Sequence, residues 1–341
     1  MRLGLRGTGS VDPVGLLTAL LAVCWLLATA GAAQGQPAAA ASNSAGSAAV
    51  HEAAPTSQAA RGVARFWTAR KMRQAIARST VIEAGSQTIP EGLRARPGAI
   101  HAPVIDPTAY PFRIHGKVFF TRFGLPAACS ATAVSSPSRR LVFTAGHCVN
   151  DRITPLTRSR WAANWLFVPA YHRGQAPFGE FPAEVLAAPK GWTERSIGAI
   201  VRNKFLPSAK FDVGAALLHP NSIGQTVEDA VGGATLLVNQ SRQQQFQAFG
   251  YPSGALKGEE MRMCTSAYLG TQPFSTFFAG PKTMKIACDM AAGASGGGLM
   301  TQNGTVLNGV LSFSIPGKPD NLFSPYFGGA IGAFYEQVGG F

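Results

Sequence analysis

Charge is scarce in this chain, and acidic charge is scarcest. Only 14% of the 341 residues are charged, and 17 Asp and Glu stand against 30 Lys and Arg. With 46% hydrophobic residues beside it, so low a charged fraction excludes disorder throughout, which needs few apolar groups and high net charge. Clustered basic charge is also missing beyond residue 100. The net +13 divides into +1 over residues 1–33, +5 over 34–100 and a dilute +7 over 101–341. A nucleic-acid binder gathers its basic groups on one face beside aromatic platforms, so no nucleic-acid partner is expected. There is no CxxC pair and no histidine at zinc-finger spacing, so no metal is expected. Internal repeats are absent, and helical periodicity is weak except over 61–78 and 330–338.

What is present begins with a leader. Arg2 and Arg6 precede an apolar run from Val14 to Ala30, and Ala30-Gly31-Ala32-Ala33 offers a small-residue cleavage site. This predicts a secretory signal over 1–33. An uncleaved anchor is the alternative, because the run approaches the ~20 residues that span a bilayer. Cys24 lies inside that run, with Trp25-Leu26-Leu27 still to come, which is wrong for lipid attachment. Cys129, Cys148, Cys264 and Cys288 remain. An even number in an exported chain predicts two disulfides, with three pairings open.

Residues 34–60 are nearly all Ala, Gly, Ser, Pro and Gln and read as a linker. Residues 61–78 carry six basic groups, with Ala69, Met72 and Ile76 on one helical stripe, and read as a pro-segment that docks on the following domain. The expected division is 1–33 signal, 34–105 linker and pro-segment, and 106–341 one folded domain. From Tyr110 short apolar runs alternate with turns: Gly116–Thr121, Leu141–Thr144, Trp165–Pro169, Val213–Leu218, Phe246–Tyr251 and Val306–Ile315. That spacing, with 39 Gly and 23 Pro, predicts an all-β sandwich or barrel.

Three short segments carry chemistry. In Leu141-Val-Phe-Thr-Ala-Gly-His-Cys148 a strand delivers His147 at its end. In Phe211-Asp-Val-Gly-Ala-Ala-Leu-Leu218 the carboxylate of Asp212 heads an apolar run; burial there demands a partner such as an imidazole N–H. In Gly293-Ala-Ser-Gly-Gly-Gly298 the glycines let the amides of Gly293 and Ser295 converge as an oxyanion hole beside the Ser295 hydroxyl. A serine hydroxyl is a weak nucleophile, so His147 must take its proton and pass it to the leaving amine, while Asp212 fixes the imidazole tautomer. The gaps of 65 and 83 residues give the order His, Asp, Ser, which subtilisin-type and α/β-hydrolase triads do not share.

These residues resemble the secreted bacterial trypsin-like serine peptidases of chymotrypsin fold, in the branch near the glutamyl endopeptidases. Further similar landmarks are Phe66-Trp67-Thr68, Cys129-Ser-Ala-Thr132, Asn164-Trp-Leu-Phe-Val-Pro169 and Phe249-Gly-Tyr-Pro252. The resemblance spans about residues 110–340. It implies two six-stranded antiparallel β-barrels with the site between them and a short C-terminal helix. It also implies the disulfides Cys129–Cys148 and Cys264–Cys288, no cofactor, protein or peptide substrates, a monomer, and an exported zymogen that is extracellular or periplasmic. Asp289 stands at the offset where trypsins carry the acid that binds Lys or Arg. Ser312, Phe313 and Ser314 match the strand that pairs with substrate, with Ser312 also reaching Asp212. Leu311 replaces the histidine that Glu preference would want. Ala294 replaces the acid of the trypsin activation switch, and Gly298 the usual proline, implying a looser turn. These departures support the alternative of a weak or inactive protease-fold binding protein.

Overall fold

The computed structural model describes residues 46–84, 100–151, 160–194, 209–253, 258–271, 282–290, 292–315 and 318–340. The leader, 1–33, lies outside them. Strand β1 (Ala48–Glu52) leads into helices α1 (Ser57–Phe66) and α2 (Ala69–Ala84), and a two-residue strand β2 (Ala102–Pro103) follows. Each helix starts on a threonine: Thr56 Oγ1 accepts from the Ala59 amide at 3.1 Å and Thr68 Oγ1 from the Lys71 amide at 3.3 Å, each satisfying an amide that the first turn leaves unpaired.

The first barrel is built from β3 (His115–Arg122), β4 (Leu125–Ala133), β5 (Leu141–Thr144), β8 (Ala163–Pro169), β9 (Phe181–Pro189) and β10 (Gly214–Leu218); a small hairpin of β6 (Asn150–Asp151) and β7 (Arg160–Trp161) stands beside it. The order β9-β10-β5-β4-β3-β8 closes because β8 also pairs with β9. Aromatic side chains are buried on both faces of this sheet: Phe167 and Phe181 lie opposite one another on β8 and β9, while Phe119 meets Trp67 and Phe143 meets Phe334 on the outer face. The β8–β9 pairing is confined to Leu166 and Phe167 opposite Pro182 and Phe181, so closure leaves the later part of β9 open to a further strand.

The second sheet runs β11 (Thr235–Leu236), β16 (Val306–Val310), β15 (Gly298–Thr301), β12 (Gln245–Gly250), β13 (Arg262–Gly270), β14 (Met284–Ala287), β18 (Lys318–Ser324) and β17 (Phe313–Ile315). It forms a half-barrel among the described residues, and its β11–β16 pair is parallel. The expected run Val306–Ile315 is two strands, broken at Leu311-Ser312. Helix α3 (Gly329–Gly339) buries Ile331, Phe334 and Val338, and Phe334 meets Phe143 of β5 edge to face at 5.8 Å. The expected two-barrel, all-β architecture with a C-terminal helix is thus present. Both disulfides join the cysteine pairs implied by the resemblance, Cys129–Cys148 and Cys264–Cys288.

The expectation of a linker over 34–60 needs correction from Gly46 onward. Strand β1 pairs antiparallel with β9 in unbroken register, Ala48 opposite Pro189 to Glu52 opposite Val185. Beyond it, Trp67 is 4% exposed and donates its indole N–H to the Asn164 carbonyl at 2.6 Å. On α2, Met72, Ala75 and Ile76 are buried, and the helix packs across β4 and β3. The segment therefore shares the core of the first barrel.

Candidate active site

His147 is delivered by β5, whose four residues are all buried. Beyond Ala145 the chain tightens into a 3-10 turn, Gly146–Cys148. Gly146 is required for space: a Cβ there would lie 3.0 Å from Asp212 Oδ1 and from the Trp192 indole. The turn is pinned from three sides. Cys148 is bonded to Cys129 of β4, Trp165 Nε1–H donates to the Cys148 carbonyl at 3.1 Å, and Arg122 Nη2 donates to the His147 carbonyl at 2.5 Å.

Asp212, just before β10, is fully buried. Its Oδ1 accepts the His147 backbone N–H at 2.8 Å, and its Oδ2 lies 2.8 Å from His147 Nδ1. Ser312 Oγ donates to the same Oδ2 at 2.5 Å. Burial alone pushes this carboxyl up; attraction to His147 and the three hydrogen bonds outweigh it, so the net shift is downward and Asp212 is an anion at neutral pH. An anion can only accept, so the proton on that contact belongs to His147 Nδ1. Nε2 is then left with its lone pair for the opposite side of the ring.

The loop carrying Ser295 is fixed to the first barrel through Ser130 of β4. The Ser130 amide donates to the Ser295 carbonyl at 2.7 Å, and its hydroxyl donates to the Gly293 carbonyl at 2.8 Å while accepting the Tyr251 amide at 3.0 Å. Gly293 and Gly296 adopt φ of +84° and +81°, which only glycine tolerates cheaply. A Cβ on Gly296 would collide with Thr144 Oγ1 and lie 2.8 Å from the Ala145 amide. The residue after Ser295 thus touches the strand end that delivers His147. The Ala292 carbonyl accepts from the Ser253 amide at 2.5 Å. In a trans peptide the N–H opposes the carbonyl, so the Gly293 N–H points to the other side. Ser295 itself is partly exposed.

Other expected residues fall into two groups. Ser312 reaches Asp212 as the resemblance implied, while Phe313 stacks on Phe323 at 4.9 Å within the β17–β18 pair, where Ser314 lies opposite Leu322. Asp289 is engaged elsewhere: its Oδ1 accepts the His101 backbone N–H at 2.8 Å and lies 2.7 Å from His101 Nδ1. His101 is held there because β2 pairs with β13. The expected looseness at Gly298 is also corrected. Gly298 opens β15, and a Cβ there would lie 2.7 Å from Thr132 Oγ1 and 3.0 Å from His115 Cε1. His115 stacks on Phe249 at 4.3 Å, and burial pushes its imidazole down to about 3. Glycine is thus demanded by a close approach. Ala294 is 1% exposed against Gly250, an apolar site. Sequence reasoning missed the roles of Ser130, Ser253, Arg122 and His101; only Ser130, inside Cys129-Ser-Ala-Thr132, lay in a motif.

Two clusters bring His, Cys or carboxylate atoms within 4.8 Å, namely Cys129, His147 and Cys148, and Cys264, Cys288 and Asp289. Their cysteines are disulfide-bonded and offer no thiolate to an ion. No helix among the described residues is long and apolar enough to cross a membrane.

The closed barrel, the half-barrel and the loop at their junction define a protease-fold protein of the chymotrypsin type. Neither a protein-family model nor a curated protein sequence matches the chain. Among solved structures it is similar to the protease Anisep of Arthrobacter nicotinovorans, with 29% identity and TM-score 0.58 over 69% of this chain and 99% of that one. It is also similar to the thermostable serine protease AL20 from an extremophilic microorganism, with 31% identity and TM-score 0.57 over 67% and 97%. A Glu endopeptidase, 16% identical with TM-score 0.54, shares the fold. The chain belongs to the bacterial serine proteases of chymotrypsin fold.

Proposed function

We propose that this protein is an exported serine endopeptidase. Ser295 attacks the scissile carbonyl, His147 Nε2 takes its proton and returns it to the leaving amine, and Asp212 holds the tautomer and stabilises the imidazolium. The amides of Gly293 and Ser295 receive the oxyanion. The observation that carries this reading is the buried Asp212 carboxylate, which accepts both N–H groups of His147 while Ser312 donates to it. Such an anion in an apolar setting is costly unless fully paired, and its pairing directs the free ring nitrogen away from it. The contact of Gly296 with Thr144 and Ala145 adds support, because it sets the serine loop against the same strand end. Export accords with the leader and the two disulfides.

Asp289 is the acid proposed to receive a Lys or Arg side chain. Its occupation by His101 makes residues 100–104 part of a latent form, so activation includes their departure. The test is turnover of a peptide library by the purified protein, before and after cleavage between Val104 and Asp106, beside Ser295→Ala. Cleavage at peptide bonds that Ser295→Ala abolishes is expected. Library turnover that survives in Ser295→Ala refutes the assignment.

A further inference from the structure

A shallow surface cleft opens beside His147, lined among others by Phe120, Arg122, Phe123, Asp151, Arg160 and Trp161. Among the described residues its walls, besides His147 itself, come from β3, the turn after it, the paired strands β6 and β7, and Ala162; none comes from the serine loop or from Ser312–Ser314. Two contacts set its position relative to the ring. Asp212, with Ser312 on it, holds His147 at Nδ1, whereas Arg122 holds the His147 carbonyl from β3. A peptide whose acyl half lies along Ser312–Ser314 leaves past His147, the group that protonates the departing amine, and a cleft that includes His147 but no residue of Ser312–Ser314 suits that departing half.

Its charge is lopsided. Arg122 is 3.9 Å from Asp151, which also stands opposite Arg160 across the β6–β7 pair, so two guanidinium groups share one carboxylate. Arg160 is exposed, with its guanidinium 5.5 Å from the Phe123 ring centroid. That stacking steers a planar fork of N–H donors without consuming them. The far wall, Trp161, is backed by His51 of β1, stacked on it at 5.5 Å.

Resting on the protease reading above, we propose that this cleft is a leaving-group subsite that selects a carboxylate side chain shortly after the scissile bond, with Arg160 as its specificity-determining residue. A guanidinium fork pairs with a carboxylate through two charge-assisted hydrogen bonds, and the aromatic walls take the methylene stem.

The experiment isolates this side from the acyl side. The protein, cleaved between Val104 and Asp106 to release the latent contact of His101 with Asp289, is acylated at Ser295 with p-nitrophenyl acetate, and the acyl-enzyme is partitioned between water and added amines. The amine attacks the acyl carbon, its proton passes to His147, and the Ser295 oxygen departs and regains that proton. Glutamic acid α-amide is expected to capture the acyl group about five-fold better than lysinamide, the scale of a partly exposed ion pair, with the preference shrinking in high salt. Arg160→Ala should erase the preference and Arg160→Glu invert it. A normal p-nitrophenol burst with capture indifferent to side-chain charge would overturn the subsite alone. Absence of any burst would overturn the protease reading and the subsite with it.

Discussion

Lys117 is the most exposed point of the physical account. It lies on β3, where alternation points it away from the barrel interior, yet it is 0% exposed because α2 and the turn at Gly258 cover that face. A Cβ on Gly258 would sit 2.9 Å from Lys117 Nζ and 3.2 Å from Ile76 of α2. The ammonium has no hydrogen-bond partner among the described residues; it faces the Tyr251 ring at 5.3 Å. Glu259, which accepts the Tyr171 hydroxyl at 2.8 Å, attracts it from further off. Burial outweighs that attraction and holds the amine down from 10.5 to about 7. Above pH ~10.5 both the folded and unfolded amine are neutral, and the burial costs nothing in protonation. Between 10.5 and 7 the unfolded chain binds a proton that the folded chain refuses, so stability falls as the pH is lowered, by up to about 1.4 kcal/mol per unit. Near neutrality the loss is on the order of 5 kcal/mol. Lys117→Met keeps the stem and removes the titration. In a Ser295→Ala background, to prevent self-cleavage, urea unfolding of both proteins should be measured from pH 7 to 10. Lys117→Met should be the more stable by several kcal/mol at pH 7, with the gap closing toward pH 10. A gap that is zero, reversed or constant with pH would refute the reasoning.

Asp212→Asn keeps the shape but offers His147 an amide instead of an anion, so kcat should fall on the order of 10⁴-fold with little change in KM, read from steady-state kinetics. Gly296→Ala forces a side chain onto φ +81° and into Thr144 Oγ1; it should cost about 2–5 kcal/mol in urea unfolding, and a neutral result would contradict the loop's placement against β5. His101→Ala frees the Asp289 carboxylate of its ring partner. It should raise kcat/KM on an arginine peptide ester about ten-fold, the scale of a hydrogen bond to a charged group, and leave a leucine ester unchanged.

Legibility of the sequence tracked the range of the interaction. Strand β5 was readable to the residue, because Leu141–Thr144 is a continuous apolar run ending in Ala-Gly-His-Cys. Asp212 was readable because an ionised group heading an apolar strand announces a partner. Cysteine spacing left three pairings open, and only the family resemblance selected the two that occur. Strand β1 was hidden: Ala-Ala-Val-His-Glu has one β-branched residue, and its extended state comes from the edge that β9 offers. Lys117 reads as a solvent-facing residue, since its cover arrives from a helix some 40 positions upstream. The grip of His101 on Asp289 joins positions 188 residues apart. No local pattern encodes either contact.

The central claim is that Ser295, activated by His147 and Asp212, is a nucleophile. Its most direct measurement is the mass of the protein after exposure to a fluorophosphonate, which reacts with an activated serine hydroxyl. The account predicts a single adduct mapping to Ser295, lost in Ser295→Ala and slowed in His147→Ala. A protein cleaved between Val104 and Asp106 that stays folded and never takes up the adduct, or takes it up at another residue, would contradict it.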